Sequence, residues 1–356
     1  VVADERGADI VHLLTRLAPG TVLREGIDRI IGAGRGALIV VGWNDEVEAL
    51  VSGGFVIDTN ATAQRIAELA KMDGALILDD DAGRVLRANV HLVPDASVHT
   101  SETGTRHRSA ERTARQTGMP VISVSESMSL VTIYLGERKR VLEDVSTLLF
   151  RANQALATLE RYTTRLDEVT SLLGGRELFD TVTLRDVVVT LQRTEMVRRI
   201  AREVDELVAE LGSEGRLIEL QRTELVTGLD EERVLLVRDY LADRRRKVHT
   251  VLRDLDALDT DELLDMDHLA EMLSYEAPRP MEHSVVSRGH RQLSRIPRVP
   301  ATVVDKLVAK YQTLPRIVAA SESELVEIDG IGEARAGSIR EGLDRLVESA
   351  QLDRPL

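Results

Sequence analysis

Hydrophobic spacing changes character twice along the chain, and each change predicts a different kind of structure. Over residues 1–140, helical spacing alternates with short apolar runs. Ile10–Leu17 and Leu23–Ile31 place apolar side chains every three or four residues, as amphipathic helices do. Ala37-Leu38-Ile39-Val40-Val41 is apolar throughout and predicts a strand buried on both faces. A second helical stretch, Ala61–Ala70, leads to another such strand, Ala75-Leu76-Ile77-Leu78. Val85–Leu92 follows as its hairpin partner through the turn Asp79-Asp80-Asp81-Ala82-Gly83. A polar helix over Arg106–Gln116 stops at Gly118 and Pro120, and strands at Val121–Val124 and Leu130–Leu135 complete the set. These elements predict an α/β domain, a mixed central β-sheet flanked by helices.

From residue 141 the period becomes heptad. Val145, Leu148, Ala152, Ala155, Leu159, Tyr162, Leu166, Val169 and Leu173 recur at steps of three and four, predicting one helix of roughly 45 Å. Val234, Val237, Leu241, Val248, Val251 and Leu255 repeat the spacing, with Arg244 in the skipped position, and Ile200, Val204, Leu207 and Leu211 mark a helix between. Several such helices close together favour an intramolecular bundle over a homotypic coiled coil. Residues 141–280 therefore read as an all-α spine. Ala277-Pro278-Arg279-Pro280 breaks helices and predicts a hinge. Beyond it, short helices with turn signals at Pro297, Pro300, Pro315 and Gly330-Ile331-Gly332 predict a small all-α domain over 281–356.

Charge sharpens this partition. The chain has 46 Lys and Arg against 60 Asp and Glu, net −14, and the deficit lies mostly in the spine. Arg279–Arg316 is the exception, with eight basic and two acidic residues, the one stretch that offers a phosphate backbone a favourable field. The 356 residues include no cysteine, which excludes disulfides, thiolate metal sites and a Cys nucleophile, and fits a reducing cytoplasmic setting. No apolar run approaches the ~18 residues of a membrane span, and Val1-Val2-Ala3-Asp4-Glu5-Arg6 is not a signal peptide, so no membrane partner is expected. Few aromatic residues argue against single-strand binding by stacked rings.

Two regions carry candidate chemistry. Near the carboxyl end, Leu325–Ile339 reads as helix, tight turn, helix, with Gly330 and Gly332 bracketing Ile331. Such a turn exposes backbone N–H groups beside a helix N-terminus, where they can grip a phosphate without reading a base. DNA contacts are expected from Gly330, Ile331, Gly332, Arg335 and Arg298; Pro300–Val318 is the candidate for a degenerate first copy. In the first domain, Asp73-Gly74-Ala75 opens a buried strand, and Gly104-Thr105-Arg106-His107-Arg108-Ser109-Ala110 opens a helix. Thr105 is placed to cap that helix, and Arg106 and Arg108 add two fork-shaped cations, a site for a polyanion such as a triphosphate. Gly32-Ala33-Gly34-Arg35-Gly36 precedes a strand and reads as a plain loop. Arg244-Arg245-Arg246-Lys247 reads as a mid-helix run paired with nearby carboxylates, and the eight histidines show no metal-ligand spacing.

In this order the two N-terminal strings resemble the diadenylate cyclase domain, which joins two ATP molecules into cyclic di-AMP and releases two pyrophosphates. The three-part layout, from about Gly7 to about Leu346, resembles the DNA integrity scanning family, with its helix-hairpin-helix end. The resemblance implies Asp73 as the carboxylate that holds a divalent ion, Mg²⁺ or alternatively Mn²⁺ or Co²⁺, and helps deprotonate the attacking 3′-hydroxyl. It implies Gly104, Thr105, Arg106, His107, Arg108 and Ser109 around the phosphates, with His107, a general base by type, preferred as a protonated phosphate ligand. Gly74 and Ala75 lie at close approach to the nucleotide, and Leu92 beside adenine. A two-fold symmetric product made by two identical attacks calls for two half-sites face to face, so at least a dimer is expected; the family is an octamer. It further implies branched DNA as partner, suppression of cyclisation by that DNA, and a nucleoid-associated place of work. A competing expectation is a DNA-junction scaffold whose pocket only senses ATP. A repair nuclease is disfavoured by the single candidate carboxylate.

Overall fold

The computed structural model describes residues 13–126, 130–276 and 280–352. The chain forms two compact units, one running through Gln154 and joined by Val204–Leu220, the other made of Ala155–Glu203 and the chain from Gln221 onward. The expected hinge falls largely on residues outside those described, as does the start of the first predicted helix.

The first unit is the expected α/β domain. Eight strands form one sheet: β1 (Ala37–Val41), β2 (Val51–Ser52), β3 (Phe55–Asn60), β4 (Ala75–Leu78), β5 (Arg84–Leu92), β6 (Val121–Val124), β7 (Val131–Leu135) and β8 (Arg138–Val141). They run in the order β2-β5-β4-β1-β6-β7-β8, with β3 also paired to β5. β1 and β4 are parallel and every other pairing is antiparallel, so the sheet is mixed.

Both faces are covered because the central strands are apolar at every position. Ile39, Val41, Leu76 and Leu78 pack on one side with Ile27 and Ile30 of α1 (Val22–Gly32) and Ile66 of α3 (Ala63–Leu69). Val40, Ala75, Ile77, Val90 and Tyr134 pack on the other with Val47 of α2 (Asp45–Leu50) and Ala110 and Ala114 of α4 (Thr105–Thr117). Burial of side chains this size contributes about 1.5–3 kcal/mol each.

Three strands are not among those the spacing predicts. β3 is mostly exposed, and its register shifts between Val56 and Thr59, where Asp58 sits at φ 45°. β2 has two residues, and β8 is Arg-Lys-Arg-Val, wholly exposed at the sheet edge, where charge guards against edge-to-edge pairing. Residues 204–220 return to this unit: Glu210 pairs with Arg140, and Ser213 N–H donates to the Pro19 carbonyl at 3.3 Å.

The second unit is all-α, the class expected for the chain beyond residue 140, and takes in residues from both regions read above as separate domains. The heptad seam lies on α5 (Val145–Leu178), where Leu159, Leu166 and Leu173 are buried and Tyr162 and Val169 half-buried. Leu173 packs with Val187 and Leu191 of α6 (Leu184–Leu211), Leu236 and Val237 of α8 (Leu229–Tyr240) and Leu255 of α9 (Val248–Ala257). That core is an intramolecular bundle; α7 (Arg216–Leu225) lies between α6 and α8 in sequence.

One expectation fails here. The seam from Val234 to Leu255 is two helices, α8 and α9, separated by a turn, and Arg244–Lys247 lies in that turn and not mid-helix. An arginine at a seam position has no apolar partner to meet, whereas Asp243 can accept the Arg245 N–H at 2.9 Å and so stabilise a turn. Arg246 does find a carboxylate, Asp254 at 2.8 Å, while Arg244 bonds Gln312.

The carboxyl-terminal helices are α10 (Thr260–Leu264), α11 (Met266–Met272), α12 (His290–Ser294), α13 (Ala301–Tyr311), α14 (Leu314–Ala319), α15 (Glu322–Val326) and α16 (Glu333–Leu352). The last five share a core that includes Leu293, Ile296, Leu307, Leu325, Ile328 and Ile339. Two helix–turn–helix hairpins repeat within it. Ile296 N–H donates to Leu293 O at 3.1 Å, and Ile328 N–H to Leu325 O at 3.1 Å. Arg298 (φ 65°) and Gly330 (φ 87°) then take the left-handed conformation at the same place in each turn. The Pro300 and Gly332 carbonyls accept from Val304 at 3.1 Å and from Ala336 at 2.9 Å as the next helix begins. The first copy is therefore α12–turn–α13, upstream of the expected Pro300–Val318 register.

Candidate active site

The two N-terminal strings meet. Asp73, Gly74 and Ala75 at the mouth of β4, Leu92 at the end of β5, and Gly104, Thr105, Arg106, His107 and Ser109 at the start of α4 line one cleft of about 750 Å³. Leu38, Val90, His91, Ser125 and Glu126 complete its walls. The volume sits within the roughly 300–1,000 Å³ of ordinary ligand clefts. Arg108 is exposed and is not among the lining residues, unlike its neighbours Arg106 and His107.

Local structure explains the placement and corrects one expectation. Thr105 does not cap α4. The N-cap is Gly104, in extended conformation with no side-chain capping bond, and Thr105 is the first helical residue. A glycine cap leaves the first-turn N–H groups for an outside acceptor, and the dipole of a 13-residue helix favours an anion there. Gly74 is required by the protein itself: a Cβ there would lie 2.3 Å from the Asn89 carbonyl carbon and 2.6 Å from Val90 N. Asn89 sits at φ 54° beside a register shift in β5 and accepts the Gly74 N–H at 3.1 Å, so β4 and β5 touch backbone to backbone.

Gly36, read above as a plain loop residue, seats an arginine. A Cβ there would fall 2.1 Å from Arg106 Nη1 and 2.9 Å from the Val124 carbonyl. Asp73 is exposed and has no ion-pair partner among the described residues. Glu126 lines the same cleft and was missed because nothing in its sequence neighbourhood distinguishes it. Mg²⁺ takes hard oxygen ligands, commonly one or two carboxylates with substrate phosphates and water. Asp73 and Glu126 fit that donor set, though no group of three or more acidic or histidine side chains gathers as a metal cage among the described residues.

His107 is the other member with visible partners. Its Nδ1 lies 2.9 Å from Tyr134 Oη, which donates to Glu102 Oε1 at 3.0 Å, and Lys139 pairs with the same oxygen. Burial lowers the imidazole below its usual pKa; Arg106 and Lys139 push the same way and Glu102 opposes them. The ring is therefore biased to neutral in the absence of an anion. Glu102, Tyr134 and Lys139 come from three separate elements and formed no motif.

At the carboxyl end, Gly330 and Gly332 are exposed, but Ile331 is buried, and its N–H is committed to Ile328 O at 2.9 Å. Ile331 thus anchors the turn, and neither its side chain nor its N–H is open to a ligand. Arg335 folds back to bond the Gly330 carbonyl, while Arg298 is exposed on the other hairpin. The acidic residues beside the glycines are partly neutralised: Lys306 reaches Asp329 at 2.6 Å and Lys310 reaches Glu327 at 3.1 Å.

A mixed sheet with an uncapped helix N-terminus, a seated arginine and carboxylates around one cleft defines an α/β domain with an open polar cleft, followed along the chain by helices. The chain belongs to the DisA bacterial checkpoint controllers: residues 24–139 match that family's nucleotide-binding region and 142–281 its linker region. It is 51% identical to the DNA integrity scanning protein DisA of Acidothermus cellulolyticus over 98% of this chain and 97% of that protein. The same-named protein of Kineococcus radiotolerans is 50% identical, over 96% of each. Among solved structures, DacA from Staphylococcus aureus is 19% identical over 37% of this chain and 88% of that one, with a TM-score of 0.31. No helix among the described residues is long and apolar enough to cross a membrane.

Proposed function

We propose that the protein is a diadenylate cyclase that condenses two ATP molecules into cyclic di-AMP and two pyrophosphates, and that its carboxyl-terminal hairpins hold DNA. The observation that carries the first part is the convergence of Asp73, the open N-terminus of α4 and Arg106 on one cleft. Each bond forms when a 3′-hydroxyl oxygen attacks the α-phosphorus of the other nucleotide in line and pyrophosphate leaves. The first-turn N–H groups of α4, with Arg106, His107 and Ser109, bind the triphosphate and take up charge on the departing pyrophosphate. Leu92 and Val90 supply apolar surface for adenine. Asp73 would accept the hydroxyl proton, and with Glu126 it would hold Mg²⁺, which when bound neutralises charge on the phosphoryl oxygens. Mn²⁺ or Co²⁺ would suit the same ligands.

One cleft per chain cannot close a ring that needs two identical attacks. Two copies face to face supply the second cleft, an isologous dimer, and an octamer is a tetramer of such dimers. Arg108, exposed beside His107 in the chain and outside the cleft lining, would serve the face where the copies meet. The two hairpins, each with an exposed turn beside a helix start, suit a sequence-independent grip on phosphates of branched DNA at the nucleoid.

Incubation of the full chain with ATP and Mg²⁺ should give a product with the mass of cyclic di-AMP. Asp73→Asn should abolish it, with assembly unchanged by size-exclusion chromatography. Nucleotide binding without turnover would instead identify a DNA-binding scaffold that senses ATP. A four-way junction added to the assay should lower the rate, and equal rates would remove the coupling.

A further inference from the structure

Four side chains beside the cleft form a chain of hydrogen bonds whose proton directions can be worked out. Lys139 on β8 pairs with Glu102, and this bond first, then the one from Tyr134, holds the Glu102 carboxyl below its usual range. Glu102 is therefore ionised and can only accept. Tyr134 on β7 is buried, and burial together with the facing carboxylates Glu102 and Glu111 pushes its phenol well above its usual range. It stays neutral, with one proton to give. That proton goes to Glu102 Oε1, at 3.0 Å. Toward His107 Nδ1, at 2.9 Å, the phenol offers only a lone pair, so Nδ1 must bring the hydrogen.

We propose, resting on the nucleotide reading of this cleft, that Tyr134 is a positioning residue: backed by Glu102 and Lys139, it holds His107 in the Nδ1–H tautomer and leaves Nε2 as the nitrogen that meets the phosphates. A bare Nε2 has nothing to donate to a phosphate oxygen. Binding therefore draws one proton from water onto Nε2, giving an imidazolium that donates Nδ1–H to Tyr134 and Nε2–H to the phosphate. Arg106 on its own helix, Lys139 on β8 and burial all oppose this cation, and Glu102 alone among the facing groups favours it. The ring thus stays neutral until the triphosphate supplies the missing negative charge. The opposite tautomer could donate from Nε2 with no proton uptake, so the relay is what makes the clamp respond to pH.

The test is nitrogen NMR of the full chain labelled with ¹⁵N-histidine, with His107 picked out of the eight histidines by its absence in His107→Gln. In the free wild type, at a pH where the ring is neutral, Nδ1 should be protonated and Nε2 bare; ATP added without metal should protonate Nε2 as well. Tyr134→Phe removes only the hydroxyl and should switch the ring to Nε2–H. Glu102→Ala frees the Tyr134 proton to be given to Nδ1 and should cause the same switch, an independent check should the Phe variant fold poorly. On the alkaline side of neutrality the KM for ATP should climb several-fold with pH in the wild type and lose most of that climb in Tyr134→Phe. An Nε2–H ring in the wild type, Nδ1–H retained in both variants, or equal KM profiles would overturn the assignment. The spectra need no turnover, so an Nδ1–H ring without cyclisation would refute the enzyme and keep the relay. Cyclisation by a protein with an Nε2–H ring would do the reverse.

Discussion

The molecule uses arginine and carboxylate in two opposite ways. In the second unit Arg291 is fully buried, with Nη1 2.7 Å from Glu177 and Nε 2.8 Å from Glu232. Glu177 also accepts from Tyr240 at 2.7 Å and from Gln292 at 2.5 Å. Asp239 caps α12, taking the His290 N–H at 2.8 Å and the Arg291 N–H at 3.0 Å. Every charge there has its partner inside the protein. In the first unit's cleft Asp73 has no ion-pair partner among the described residues, the start of α4 has no side-chain cap, and Arg106 lies against a glycine. Closed networks hold a fold in one geometry; open ones wait for a ligand of complementary charge.

If that contrast is right, the largest loss of stability should come from opening the closed network. Arg291→Met leaves Glu177 buried without its cation and should cost about 3–5 kcal/mol in denaturant unfolding, because the uncompensated charge cannot reach water. Adding Glu177→Leu to it should recover most of the loss. In the cleft the sensitive position is a glycine and not a charge. Gly74→Ala drives a methyl into the β5 backbone and should cost about 1–3 kcal/mol, lowering the melting temperature and nucleotide affinity together. The smallest effects should come from the paired turns. Gly330→Ala at φ 87° should cost about 1 kcal/mol. Arg298→Gly, at the matching place, should leave the melting temperature nearly unchanged while weakening DNA binding and reducing its salt slope by about one charge.

How much of this could be read from the sequence follows from how local each signal is. β1 and β4 are unbroken apolar runs, and the Asp73 and Gly104–Ser109 strings are contiguous, so strands and cleft residues were both visible. The Tyr134 relay was not, because Glu102, Tyr134 and Lys139 join only when β7, β8 and the segment before α4 come together. Gly36 looked like a flexible loop because the arginine it accommodates lies far along the chain. The first hairpin was placed too late because Arg298 occupies the left-handed position that Gly330 fills in the second, hiding the glycine signature. Its trace was the Leu-x-x-Ile spacing shared by Leu293–Ile296 and Leu325–Ile328. The break after α8 was written in Arg244 itself, a charge where the seam needed an apolar side chain.

The most direct test of the face-to-face reaction centre is cyclase rate per chain across a dilution series, with the associated fraction measured in the same samples by light scattering. Rate per chain should fall in step with the associated fraction and vanish where only single chains remain. An undiminished rate from single chains would contradict the shared centre outright.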